Sequence, residues 1–249
     1  MNIYRDLCQK SKLCERLIVT LFGTITHVLT SERVAALTFD DGPHSASTPN
    51  LLEVLEKHKA KATFFMVGQA AGGNPDLVAE VARAGHAIGN HSFSHCSLTS
   101  LGRRQRFQEV RKCQGVVAPY GIKLFRPPRG YQDLSSRIDL MLLGYQVVTW
   151  NLSSRDWLDF DEGQIAGHLL SGIRPGSIIL FHDAIFDPKS KVMQKRQVML
   201  SALERFLGEM GGEYSFVTVP DLIRLGKPQK TRWFRGPRVK TTGASHSRI

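Results

Sequence analysis

The sequence predicts an α/β protein built as a barrel of parallel strands, on three observations. Seven short apolar runs alternate with helical patterns from residue 34 onward, and that succession implies right-handed crossovers and a parallel sheet. The runs lack strict polar alternation, as strands covered on both faces do. Asp40-Asp41, His91, Arg126, Asn151 and His182 stand just past the carboxyl ends of five different runs. An open sheet binds ligands only near a switch point, whereas a barrel converges its strand ends on one mouth.

The first strand is expected over 34–39. Ser47, Thr48 and Pro49 open a helix over 51–58, with proline at a favourable first-turn position. A strand over 62–67 follows. Asn74-Pro75 then starts a helix over 76–84, which Gly85 stops. Strands over 86–90, 123–126, 145–150, 177–181 and 214–219 alternate with helices over 103–116, 134–143, 163–171 and 191–208. No internal repeat or low-complexity segment interrupts residues 34–226.

The 249 residues are 42% apolar and 22% charged, enough to bury a core and inconsistent with a disordered chain or a disulfide-dense mini-protein. The net charge of +11 is concentrated at one end. Seven basic residues and no acidic one lie from Lys227 onward, and without them the chain holds 26 basic and 22 acidic residues, a net +4. Residues 227–249 are expected as a basic, disordered tail, available to an anionic membrane surface. Residues 1–33 read as an N-terminal amphipathic helical extension, since Arg5, Lys10, Lys12 and Arg16 precede the apolar stretch 17–29 and no Ala-x-Ala cleavage site follows. The expected location is therefore cytoplasmic, peripheral to the inner membrane face, in preference to secreted. Cys8, Cys14, Cys96 and Cys113 form no CxxC pair, so free thiols are expected.

Five motifs carry chemistry. Thr38-Phe39-Asp40-Asp41-Gly42-Pro43 closes a strand with two adjacent carboxylates. Neighbours on a strand point to opposite sides, so a turn must rotate them if both face one site. Like charges this close also call for a cation or a shared proton. His91 and His95 share a face if their segment is helical, and with a carboxylate they form a His-His-Asp donor set that leaves positions open for water and substrate. Arg126-Pro127-Pro128-Arg129-Gly130 is a stiff loop that can hold Arg126 against a carboxylate and aim the Arg129 amide at a substrate oxygen. Asp156-Trp157 and the buried run ending in His182 complete the set.

In this order the motifs resemble those of the NodB-homology polysaccharide deacetylases, carbohydrate esterase family 4, over about residues 34–225. The resemblance implies a distorted (β/α)7 barrel of parallel strands as a single domain, residues 34–226. It implies catalytic roles for Asp40 as base, His182 as acid, Asp156 as the partner of His182, and Arg126 as the residue orienting Asp40. It implies Asp41, His91 and His95 as ligands of one divalent ion, Zn2+ first, with Co2+, Ni2+ or Mn2+ as alternatives. Arg129, through its amide, Trp157 and Ile179 would contact substrate. Arg129 stands where the family usually has Tyr, Ser153 where it usually has Asp, and Ile179 where Leu is common. A cation at Arg129 favours anionic substrates.

The implied reaction is hydrolysis of an N-acetyl or other N-acyl group from an amino-sugar glycan or oligosaccharide. Two readings rank below it: deacylation or deformylation of a lipid-linked amino sugar at the cytoplasmic membrane face, and a non-catalytic carbohydrate-binding barrel. Pure binding would need neither Asp40 nor His182. Nucleic-acid binding by Trp233 and Phe234 in the tail ranks lower still, because it explains none of the motifs.

Overall fold

A computed structural model describes residues 19–186 and 196–236. Its centre is a strand buried at every residue, β2 (Val34–Asp40), preceded by β1 (Thr24–Leu29). Parallel to β2 run β3 (Ala62–Met66), β4 (Ala87–Asn90), β5 (Gly121–Phe125) and β6 (Gln146–Val147) on one side. On the other run β8 (Ile178–His182) and then β7 (Leu152–Ser153), while β9 (Ser215–Phe216) pairs with the start of β2. The sheet order β6-β5-β4-β3-β2-β8-β7 is a curled half-barrel, as the sequence predicts. Helices α1 (Thr48–Lys57), α2 (Gly68–Gly73), α3 (Pro75–Arg83), α4 (Arg103–Val117), α5 (Leu134–Leu142), α6 (Glu162–Gly172), α7 (Gln197–Met210) and α8 (Val219–Arg224) form most of the connections. No helix among the described residues is long and apolar enough to cross a membrane.

Period-2 alternation sorts each strand between two cores. Ala35, Leu37 and Phe39 of β2 face the helices with Phe64, Ile179, Phe181 and Phe206. The Phe39 ring stacks on Phe64 and on Phe181, with centroids 5.3 Å apart in each pair. Val34 and Ala36 face the inside with Phe65, Leu124, Val148 and Ile178. The same alternation turns Thr38 and Asp40 inward.

Two expectations are corrected at the chain ends. Thr24–Leu29 is a strand, not part of a helical extension, and Lys227–Thr231 is its antiparallel partner, β10, not the start of a tail. Thr24, Ile25, Thr26 and Val28 are β-branched and buried, which suits a strand held on both sides. The ribbon lies along the seam between β6 and β8: the Thr149 amide donates to the Ile25 carbonyl (2.8 Å) and the Val28 amide to the Gly176 carbonyl (2.9 Å). Residues 1–18 and 237–249, which hold more than half of each expected extension together with Cys8 and Cys14, lie outside the described residues, as does the first part of the helix expected over 191–208. Cys96 and Cys113 are free. Three elements went unforeseen besides the ribbon: the short strand β7 and the short helices α2 and α8.

Gly176 joins ribbon to barrel. It has φ +78, and an added Cβ would lie 1.7 Å from the Val28 carbonyl oxygen. Gly176→Ala is expected to cost about 2–4 kcal/mol by combining backbone strain with loss of that contact, which lowers Tm by roughly 5–15 °C. In calorimetry the control Gly167→Ala, inside α6 with open space around it, should be neutral or raise Tm slightly.

Candidate metal centre and active site

The acidic pair closes β2, and the required rotation is visible. Asp40 faces inward by alternation, and Asp41 adopts φ 75, the left-handed region, so that both carboxylates enter one cavity. Gly42 is obligatory behind them, since a Cβ there would meet the Asp183 Oδ2 at 2.1 Å. Asp183 is itself buried, accepting hydrogen bonds from the hydroxyls of Ser47 (3.0 Å) and Thr48 (2.6 Å) and so tying the turn to the start of α1.

His91 and His95 do come together, with ring centroids 5.1 Å apart, though not on a helix. Their segment is an irregular loop in which Ser92 (φ 65) and His95 (φ 56) are left-handed. The loop is held by Glu109 of α4, which accepts from the amides of Phe93 (3.0 Å) and Ser94 (2.9 Å). Ligand atoms of Asp41, His91 and His95 lie within 4.8 Å of one another, all buried.

This donor set fits a divalent cation. His91 Nδ1 lies 2.7 Å from the Arg126 carbonyl and must donate to it, which turns Nε2 toward the acidic pair. That Nε2 lies 3.4 Å from Asp41 Oδ1, with His95 Nε2 3.2 Å from the same oxygen. Asp41 Oδ1 is buried and receives no hydrogen bond of normal geometry. Two imidazole nitrogens and a carboxylate oxygen so placed call for a positive charge among them, a proton or a cation. Burial pushes the Asp41 carboxyl up, but attraction to His91 and His95 outweighs it and holds the group well below 3.8. For His95 burial dominates and lowers its pKa from 6.5, against the pull of Asp41.

Arg126 follows β5 and is fully buried. Its guanidinium donates to Asp40 Oδ1 (2.8 Å), Thr38 Oγ1 (2.7 Å) and the Thr149 carbonyl (2.8 Å), and lies 4.2 Å from the Phe65 ring centroid. So many partners fix the cation rigidly, and the cation fixes Asp40.

Opposite stands His182, at the end of β8. Its Nδ1 lies 2.9 Å from Asp156 Oδ1, and its amide donates to Asp156 Oδ2 (3.0 Å). Burial works against an imidazolium here, yet Asp156, reinforced by Asp41 and Asp40, raises the pKa to about 9. Asp156 also accepts from Ser154 (2.9 Å) and from Arg196 (2.7 Å). Sequence reasoning missed Arg196; its signal was a cation preceding a helix N-terminus, where the helix dipole disfavours positive charge.

The cavity between these walls is about 390 Å3 and is lined by Asp40, Asp41, His91, His95, Arg129, Trp157 and His182, together with Trp150, Tyr131, Leu180 and Phe186, which the sequence reading did not single out. Trp157 packs edge-on to His182, with centroids 5.2 Å apart. Arg129 has φ 56 at the cavity rim. The assignment of Ile179 to the substrate side is corrected. Ile179 points into the helix-covered core, and Leu180 lines the cavity, because one step along a strand reverses the face.

The polysaccharide deacetylase family profile matches residues 27–148. A peptidoglycan-N-acetylglucosamine deacetylase of Bacillus cereus is 34% identical over 208 residues, covering 81% of this chain and 94% of that one. The chain belongs to the polysaccharide deacetylase family. A chitooligosaccharide deacetylase of Azorhizobium caulinodans is 33% identical, covering 66% of this chain and 80% of that one. Among solved structures, a peptidoglycan N-acetylglucosamine deacetylase superposes with a TM-score of 0.73 at 28% identity, covering 82% and 94% of the two chains. A family 4 carbohydrate esterase from Streptomyces lividans superposes at 0.66 with 33% identity, covering 76% and 93%. The chain therefore shares its fold, along nearly the whole barrel, with a peptidoglycan N-acetylglucosamine deacetylase and a family 4 carbohydrate esterase.

Metal affinity should follow protonation of the ligands. Affinity is expected to rise with pH until His95 has lost its proton, below 6.5, and to be level with respect to that group above it. In titration calorimetry His91→Ala should weaken binding by roughly a hundredfold or more while circular dichroism stays native.

Proposed function

We propose that the protein is a metal-dependent hydrolase that removes N-acetyl groups from amino-sugar units of a glycan. One observation carries the reading: a carboxylate held by a buried arginine and an imidazole held by a buried carboxylate face each other across the His-His-Asp donor set in one cavity. A binding protein has no use for both.

Asp41, His91 and His95 would hold the ion, Zn2+ first on the chemistry of two imidazoles and one carboxylate. Bound there, it would supply Lewis acidity toward the acyl oxygen and a more acidic water. Asp40, oriented by Arg126, accepts the proton of the attacking water as its oxygen bonds to the acyl carbon. The Arg129 amide is the chain's own donor to the oxygen that gains charge. His182 then protonates the sugar nitrogen as the C–N bond breaks, giving a free amine and acetate. An amine leaves poorly without that proton, so the acid must be charged at working pH, and Asp156 keeps it so. Trp157 and Leu180 offer an apolar surface for the acetyl methyl.

The sign of the pH dependence follows. The acid form of His182 is present below its pKa and is lost as pH rises through about 9, so kcat/KM should fall there. Asp156→Asn should move that alkaline limb to lower pH. Asp40→Asn should lower kcat by about a thousandfold while leaving most metal affinity. The measurement is release of free amine from acetylated chitooligosaccharides and peptidoglycan fragments. Turnover of the Asp40→Asn protein near the parent rate would defeat the assignment of Asp40.

A further inference from the structure

A second cavity of about 520 Å3, within the size range of ligand sites, opens beside the first, with Trp150 lining both. Its far side is the segment after β10: Arg232, Trp233, Phe234 and Arg235. This segment is fastened to the third-motif loop. The Trp233 indole donates to the Gly130 carbonyl (3.0 Å), and Gln132 and Arg235 exchange backbone hydrogen bonds (2.8 and 2.9 Å). Trp233 also meets Trp150 edge-on, with centroids 5.4 Å apart.

Charge decides what would enter. The Arg235 guanidinium lies over the Trp233 ring at 3.8 Å and that of Arg232 over Phe234 at 5.4 Å. Among the described residues neither has a carboxylate partner, and no Asp or Glu lines the cavity. A guanidinium held over an aromatic ring can still present N–H groups to a bidentate acceptor. Thr231 adds a small polar group, while the Thr26 and Asn151 side chains are engaged with His27 and with Ile178 and Ser177.

We propose that this groove is an additional glycan subsite that takes a carboxylate-bearing sugar unit adjoining the unit being deacetylated. The proposal rests on the deacetylase reading for its polymer: a chain whose reacting unit fills the first cavity must leave it, and Trp150 is the wall it passes. Arg232 and Arg235 recognise the acid, while Trp150 and Trp233 supply apolar faces for the ring. The occupant is a glycan, not a nucleic acid, because the groove adjoins the cavity holding the deacetylation groups, with Trp150 in both linings and Trp233 bonded to the third-motif loop.

The test separates this claim from the function it builds on. In the Asp40→Asn protein, which binds without turnover, tryptophan fluorescence reports affinity for a peptidoglycan tetrasaccharide with free lactyl carboxylates and for the same sugar as its methyl ester. The acid form is expected to bind about tenfold more tightly at low salt, the low end for an exposed charge-assisted pair. Arg232→Gln/Arg235→Gln, which preserves the ring packing, should abolish that preference. Persistence of the preference in the double variant, or its absence in the parent, overturns the proposal. So does tighter binding of a single-stranded oligonucleotide that the same substitutions abolish. If the protein carrying Asp40 releases no amine from either sugar while the binding pattern holds, the function reading fails and the anion-binding groove stands.

Discussion

Three ligand atoms crowded within 4.8 Å in a buried pocket are the constraint on which the mouth of the barrel depends. Without a cation the arrangement is unfavourable, since Asp41 Oδ1 is buried beside His91 Nε2 and His95 Nε2 and lacks a hydrogen bond. The backbone is bent to make it. Asp41, Ser92, His95 and Arg129 are all left-handed although none is glycine, at a cost on the order of 1 kcal/mol each. Such strain persists only where surrounding structure over-determines it. Here Asp183 with Thr48 and Ser47 secures the acidic turn, and Glu109 secures the histidine loop.

The groups of the proposed reaction are arranged around that point by two buried charge networks. Arg126 and Asp40 form one wall, His182, Asp156 and Arg196 the other. Each contains a guanidinium that ends in backbone carbonyls as well as carboxylates, so neither charge is left uncompensated. One wall presents a carboxylate to the cavity, and the other stabilises an imidazolium. The difference lies in the partner each group was given, a cation for Asp40 and an anion for His182.

Much of this was legible in the sequence because strand ends are where a barrel exposes chemistry. Asp40, Arg126 and His182 were found by that rule, and alternation explains why Asp40 and His182 face inward. Where local periodicity was misjudged, the reading failed by one residue: Ile179 and Leu180 differ only in face. His91 and His95 were paired correctly but for the wrong geometry, since left-handed residues in a loop imitate the approach that a helix would give. Arg196 and Glu109 act over 40 and 16 positions and leave almost no local trace. The β1–β10 ribbon was hidden for another reason. Its partners lie some two hundred residues apart, and its basic composition resembles that of a solvated tail.

The claim that a divalent ion offsets the repulsion in this pocket is tested most directly by calorimetric unfolding of the chelated protein, repeated with Zn2+ in excess. One ion bound per chain at a hundred times its Kd should stabilise the fold by about 2.7 kcal/mol, which raises Tm by several degrees, and the gain should vanish in Asp41→Asn. An unchanged Tm in the intact protein, with no stoichiometric metal retained after dialysis, would contradict the account.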